Sequence, residues 1–163
     1  MKRWYFGTLG ALVAAGLVVI VVMLVLPKPP IPGSLKQQLT STLIVPSHKQ
    51  ATIDRSSAKY DGSLKVLSFT VGTAGHKLVM AEQPTPDQFV DVPQAFQKVL
   101  ENMNEYDSFD SVMGTVHLTK PQSLHGGQTA VLNAKGTLLF ATPAANLSTD
   151  QWRRFFNSFT VSQ

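Results

Sequence analysis

The sequence contains no cysteine. Disulfides, thiol catalysis and thiolate metal ligands are therefore excluded, and any folded part depends on its packed core alone. The chain also lacks a glycine-rich phosphate-binding loop and a His-Glu-x-x-His zinc motif. No motif therefore indicates a nucleotide-binding protein or a zinc protease.

Positive charge is sparse as well. No basic run exceeds two residues, and 14 Lys and Arg stand against 10 Asp and Glu. Without Lys2 and Arg3 the basic residues number 12, so the rest of the chain is near +2. This pattern gives no nucleic-acid footprint, and we expect no nucleic-acid partner.

Charge is absent altogether from one long segment, Gly7 to Leu26 (GTLGALVAAGLVVIVVMLVL). A helix of this length is about 30 Å long, which matches the hydrocarbon core of a bilayer. Lys2 and Arg3 precede the segment and only Lys28 follows closely, so the positive-inside rule places the N-terminus in the cytoplasm. The sequence predicts a cytoplasmic stub (residues 1–6) and a single-pass transmembrane anchor (residues 7–26), with the C-terminal domain outside.

A cleaved signal peptide is the alternative interpretation of this segment. Signal peptides have an apolar core of 7–15 residues that ends at a small-residue cleavage site. Here Ala14, Ala15 and Gly16 lie in the middle, and Pro27 stands where cleavage would occur. We therefore expect an uncleaved anchor whose partner is the lipid bilayer.

Small residues recur along the anchor at every fourth position, at Gly7, Ala11 and Ala15. Such spacing lets two transmembrane helices approach closely. The spacing indicates a helix-packing face, which would make the chain a subunit of a membrane complex. The alternative is that the spacing only reflects the high frequency of Gly and Ala in transmembrane helices.

A proline-rich spacer (residues 27–34, PKPPIPGS) follows the anchor. Proline blocks helix continuation and favours an extended chain. Residues 35–163 remain for one extracytoplasmic domain, long enough to bury a core.

Alternating apolar residues predict a sheet, and two amphipathic segments predict helices. One helix covers Val92 to Met103. The other begins at Ser148, where Gln151 completes a capping box and Trp152, Phe155, Phe156 and Phe159 form an apolar stripe. Strands are predicted over residues 42–45, 51–55, 63–71, 76–83, 112–119, 128–133 and 137–142. This order predicts an α+β domain in which two helices pack on a twisted antiparallel sheet.

Two stretches of the domain carry a resemblance. They are GGQTAVLNAKGTLLFATPAANLSTDQWRRFFNSF, from Gly126 to Phe159, and the earlier LSFTVGTAGHKLVMAEQPTP. Both resemble a class of single-pass, membrane-anchored bacterial extracytoplasmic domains of unknown function. The resemblance implies a PsbP-like α/β sandwich in the cell envelope, and it implies no catalytic residues.

The sequence contains one short match to a catalytic motif. Ser56 and Lys59 spell S-x-x-K, the pattern of a serine nucleophile activated by lysine. The surrounding SSAKYDG is small and polar, which is typical of an exposed turn in which lysine keeps its proton. An envelope serine hydrolase therefore remains the alternative function.

Metal-ligand patterns are not evident. The four histidines (His48, His76, His117 and His125) are scattered, and only His117 and His125 have a chance of meeting, across one loop. Four acids near the first helix, Glu101, Glu105, Asp107 and Asp110, match no calcium-loop spacing. We expect no metal, no cofactor and no catalysis, and hence an interaction domain that binds an envelope protein or ligand.

Overall fold

The computed structural model describes residues 31–120 and 127–162. The predicted anchor and its packing face, Gly7, Ala11 and Ala15, lie outside the described residues, as does His125. Within the described part of the chain, every helix is too short or too polar to span a bilayer.

The described residues form helices and strands in an antiparallel α+β arrangement. The helices are α1 (Gly33–Lys36), α2 (Asp87–Asp91), α3 (Pro93–Asn102) and α4 (Thr149–Phe156). The strands are β1 (Leu43–Pro46), β2 (Thr52–Asp61), β3 (Val66–Thr73), β4 (His76–Pro84), β5 (Glu105–Ser111), β6 (Gly114–Thr119), β7 (Thr129–Ala134), β8 (Thr137–Pro143) and β9 (Phe159–Ser162).

Seven of the strands form one antiparallel sheet in the order β2-β3-β4-β8-β7-β6-β5. The predicted α+β class is thereby confirmed. The hairpin β7–β8 lies near the centre, as its apolar sequence predicts, and its turn uses Gly136 at φ +76°. Strands β1 and β9 pair as a separate two-stranded ribbon (the β1–β9 ribbon), which joins the two ends of the described chain.

The larger core lies on the side of the sheet covered by α4 and the β1–β9 ribbon, which we call the ribbon side. Alternate residues of the strands point into it, among them Phe69, Met80 and Leu139. From α4 come Trp152 and Phe156, both completely buried. This side therefore carries most of the apolar burial that stabilises the domain.

The opposite side of the sheet, the α3 side, has a smaller core. Leu100 of α3 packs with Val131 and Leu138 of the two central strands, and Phe89 and Phe96 flank them. The helices α2 and α3 thus cover the centre of the sheet, which explains why β7 and β8 are apolar on both faces.

The structure corrects the predicted elements in several places: α2 was not predicted, and the strand predicted over residues 112–119 begins only at Gly114. No strand was predicted where β5 lies. The last helix was predicted to include Phe159, but this residue begins β9, and its buried side chain therefore belongs to a strand. Strand β2 continues to Asp61 through a bulge between Asp54 and Lys59. Within the predicted spacer, Ile31 is buried against the core and α1 begins at Gly33.

The β1–β9 ribbon fixes how the chain enters the domain. Thr137, at the start of β8, donates its hydroxyl to the carbonyl of Thr42, so β1 begins beside the end of the sheet where β4 finishes at Pro84. Strand β1 then runs back along β4, and Gln50 beyond it accepts a hydrogen bond from Thr73. We call the Pro84 end of the sheet proximal and the Thr73–His76 end distal.

Candidate functional site

A cleft lies at the distal end of the sheet, between the β3–β4 turn and α4. Its volume is about 370 Å³, within the range of small-molecule sites. Three segments that are far apart in sequence line it: the loop after β1, the β3–β4 turn and the α4 helix. The lining residues are Gln50, Thr73, Ala74, His76, Leu147, Gln151, Arg154 and Phe155.

A second hollow of about 500 Å³ continues from the first around the same turn. Four residues line both hollows: Gln50, Thr73, Ala74 and His76. The second also includes the cationic side chains of Lys49 and Lys77 and the imidazole of His48. We refer to the two connected hollows together as the distal cleft.

The distal cleft is positively charged. Lys49, Lys77 and Arg154 line it together with two histidines, and no aspartate or glutamate is among its described lining residues. Within residues 31–120 and 127–162, the ion pairs are Arg153–Asp150 and His117–Glu105, so none uses these three cations. An uncompensated group of cations in a concave surface attracts anions.

The pKa of one acid that lies outside the cleft, Asp54, is lowered by its hydrogen bonds and, to a smaller extent, by the positive charge of the cleft. Hydrogen bonds from Ser56 are the main cause that holds the pKa of Asp54 below its ordinary value, and the positive charge of Lys77 adds a smaller effect. Asp54 therefore stays ionised and offsets part of the charge of Lys77, although Lys77 makes no direct ion pair within the described residues.

The wall of the cleft is ordered by the capping box of α4, which the sequence predicts and the structure confirms. The side-chain oxygen of Gln151 accepts the backbone N–H of Ser148 at 2.8 Å. Its amide nitrogen lies 3.3 Å from Nε2 of His76, so it donates to that atom when the imidazole is neutral and protonated at Nδ1. Gln151 therefore couples the helix terminus to the floor of the cleft.

The S-x-x-K residues are found on the bulge of β2, away from the distal cleft. Ser56 is exposed and donates its hydroxyl to Asp54 Oδ1 at 2.6 Å, and Lys59 is also exposed. Lys59 lines a different hollow, formed with Tyr60, Asp61 and the turn that follows. The hydroxyl of Ser56 is thus bound to the carboxylate of Asp54, and the described residues show no hydrogen bond between Ser56 and Lys59.

The predicted acidic group is divided by strand β5. Glu105 meets His117 on the α3 side, with 2.6 Å between Oε1 and Nδ1, and the imidazole edge packs on Phe96. Asp107 instead accepts the hydroxyl of Thr149 on the ribbon side at 2.8 Å. Among the described residues, no three His, Asp or Glu side chains are grouped as a metal site.

One buried carboxyl group was not singled out by the sequence. Glu82 is 3% exposed and points into the ribbon-side core, where its Oε2 accepts the backbone N–H of Ile44 at 3.2 Å. Its Oε1 has no hydrogen-bond partner among the described residues. Burial raises the pKa of Glu82 to about 8, against the smaller opposing effect of that hydrogen bond.

The signal for Glu82 was present in the strand pattern. Leu78, Met80 and Glu82 alternate along β4, which places the carboxyl on the same face as two core residues. The distal cleft had no such signal. Gln50, His76 and Arg154 belong to three separate segments, and only the sheet topology brings them together.

Comparisons of the chain with family models, with curated proteins and with solved structures gave no match. The resemblance to PsbP-like envelope domains therefore stays a prediction.

Proposed function

We propose that this chain is a membrane-anchored extracytoplasmic interaction domain of the bacterial cell envelope, which binds a ligand or partner without catalysis. Residues 7–26 anchor it in the lipid bilayer, and the distal cleft is its binding surface. The observation that carries the proposal is the distal cleft itself, a concave cationic surface at one end of the domain.

The membrane part of the proposal is supported by the uncharged segment from Gly7 to Leu26 and by the flanking Lys2 and Arg3. The fold also supports it in one respect. The first described segment lies at the proximal end of the sheet, because Thr42 is bonded to Thr137 there and Lys36 of α1 is 3.5 Å from the hydroxyl of Ser162, which pairs with Leu43. An anchor attached at that end leaves the distal cleft directed away from the bilayer.

Two other functions compete with this proposal. An envelope serine hydrolase would use Ser56 and Lys59, and an accessory subunit of a membrane complex would use Gly7, Ala11 and Ala15. The hydrolase needs Ser56 activated by Lys59, whereas in the structure the hydroxyl of Ser56 is donated to Asp54. If the chain is a subunit of a membrane complex, replacing the small residues of the anchor should abolish its cellular function, whereas changes in the distal cleft should have no effect.

The location is tested by proteolysis of intact cells, or of spheroplasts if an outer membrane is present. We expect added protease to cut in the spacer and release the domain, while a cytoplasmic control protein survives. Deleting residues 1–30, which keeps the buried Ile31, should give the same cellular phenotype as deleting the gene, because it releases the folded domain from the membrane. Protection of the domain until the cells are permeabilised would contradict the proposed topology.

The hydrolase function is tested with Ser56→Ala and Lys59→Ala. We expect both variants to restore the natural phenotype in cells that lack the gene, because neither side chain lines the distal cleft. A fluorophosphonate or β-lactam probe should leave Ser56 unlabelled in the folded protein. Labelling that Lys59→Ala prevents would establish the hydrolase in place of the binding domain.

A further inference from the structure

We infer that the distal cleft binds an extended anionic polymer, a chain of phosphate or carboxylate groups, rather than a single small anion or the headgroups of the host bilayer. This inference rests on the proposed function of the cleft as the binding surface. It adds the chemical class of the ligand.

The sign of the ligand follows from the distribution of charge. The described residues include eleven Lys and Arg and ten Asp and Glu. Their net charge is therefore only +1, yet the distal cleft has three of the cations (Lys49, Lys77 and Arg154) and none of the acids. The other described residues include eight cations and ten acids, so the excess of positive charge lies in the cleft, which favours an anionic ligand.

The extended shape follows from where the cations lie. Arg154 lines the first hollow only, whereas Lys49 and Lys77 line the second only. A ligand that contacts all three must pass around the β3–β4 turn, across the residues that the hollows share, and carry a negative group on each side. Repeated anionic groups on one chain meet that requirement, and linking them raises the affinity through effective concentration.

The walls of the first hollow fit a chain with uncharged units between its anionic groups. Leu147 and Phe155 contribute apolar surface beside Arg154, while Gln50, Thr73 and Gln151 offer hydrogen-bonding groups. Arginine can hold a phosphate or a carboxylate with two parallel hydrogen bonds, and lysine acts as a point charge. Both anionic groups therefore fit the cleft.

The position of the cleft argues against lipid headgroups as the source of the anion. Strand β4 has nine residues from His76 at the distal end to Pro84 at the proximal end, a length of roughly 26 Å. Charge interactions in physiological salt are screened over about 8 Å. A bilayer attached through the proximal end is therefore too far away to occupy the cleft.

The test uses the full chain in nanodiscs of neutral lipid and measures fluorescence anisotropy of two end-labelled polymers. Long-chain polyphosphate probes phosphate, and polygalacturonate probes carboxylate. We expect at least one polymer to bind much more tightly than its monomer. The triple variant Lys49→Gln, Lys77→Gln, Arg154→Gln should lose about ten- to a hundredfold in affinity, and its slope of log affinity against log salt should fall by about one for each residue replaced.

A matched triple variant removes the same charge elsewhere: Lys59→Gln, Lys98→Gln and Lys135→Gln lie outside both hollows. It should keep the affinity of the natural chain to within about threefold, since its replaced residues are not in the cleft. Equal losses in the two triple variants would show attraction by net charge alone and would overturn the inference. Binding that disappears when the nanodisc lipid is made anionic would identify headgroups as the ligand and would overturn it too.

The same variants separate this inference from the proposed function. Suppose that neither polymer binds, but that the cleft variant fails to support the cellular function and the matched variant supports it. The ligand is then not an anionic polymer, and the distal cleft is still the binding surface. If the cleft variant retains both polymer binding and the phenotype, the distal cleft is not the binding surface, and both proposals fail.

Discussion

Replacing Glu82 with glutamine is expected to stabilise the domain strongly at alkaline pH and very little at acidic pH. Burial raises the pKa of this carboxyl from its ordinary 4.5 to about 8. Such a shift corresponds to roughly 5 kcal/mol of unfolding free energy. Glutamine matches the shape of the protonated acid and keeps an acceptor for the N–H of Ile44, but it has no proton to lose.

The direction of the pH effect follows from proton binding. Between pH 4.5 and 8 the folded state holds a proton on Glu82 and the unfolded state does not, so stability falls as pH rises through this window. Below pH 4.5 both states are protonated and the contribution is fully present. Above pH 8 both are ionised and no further loss occurs. The advantage of Glu82→Gln should therefore grow across the window and then level off.

The measurement is urea denaturation of the isolated domain, residues 31–163, at pH 4.5 and pH 8.5. Because Ile31 is buried, the chain used should begin no later than this residue. Glu101→Gln is the control, since Glu101 is an exposed glutamate on α3. An advantage of Glu82→Gln that is the same at both pH values would mean that the carboxyl is solvated in the folded protein.

Trp152→Ala is expected to destabilise the domain by about 3–5 kcal/mol, the range for loss of a large buried aromatic side chain. Trp152 is completely buried and packs beside Phe155 and Phe156, with ring centroids 6.3 and 5.9 Å away. Its indole N–H also donates to the side-chain oxygen of Gln128 at 3.3 Å. The substitution leaves both a cavity and a lost hydrogen bond.

The effect is measured as the melting temperature of the same isolated domain, which should fall by roughly 10–20 °C. Trp152→Phe retains most of the volume and should lose much less stability. Arg153→Ala changes the adjacent exposed residue and should have little effect. An unchanged melting temperature for Trp152→Ala would contradict the packing of α4 on the sheet.

The local parts of this fold were predictable because their signals are local. Ser148 and Gln151 lie three residues apart and both ends of the capping box are visible in the sequence. The central hairpin was equally clear, since Val131 and Leu138 occupy the face opposite to the main core in strands whose middle residues, 130–132 and 138–141, are all apolar.

The missed elements have physical reasons. Strand β5 lies at the edge of the sheet, and Phe109 is its single fully buried residue, so charged side chains hide the alternation. Phe159 continues the helical spacing of Trp152 and Phe156, although the helix ends first and β9 begins there. The pairing of β9 with β1 joins segments more than a hundred residues apart, for which no local pattern exists.

Hydrogen exchange of the full chain in neutral nanodiscs reports whether the ligand is held at the distal end of the sheet. Exchange would be compared with and without the polymer that binds. We expect added protection in residues 47–52, 72–77 and 147–155, and unchanged exchange in the Ser56–Lys59 bulge and in α3. Protection confined to the bulge, or spread evenly over the domain, would show that the distal cleft is not the binding surface.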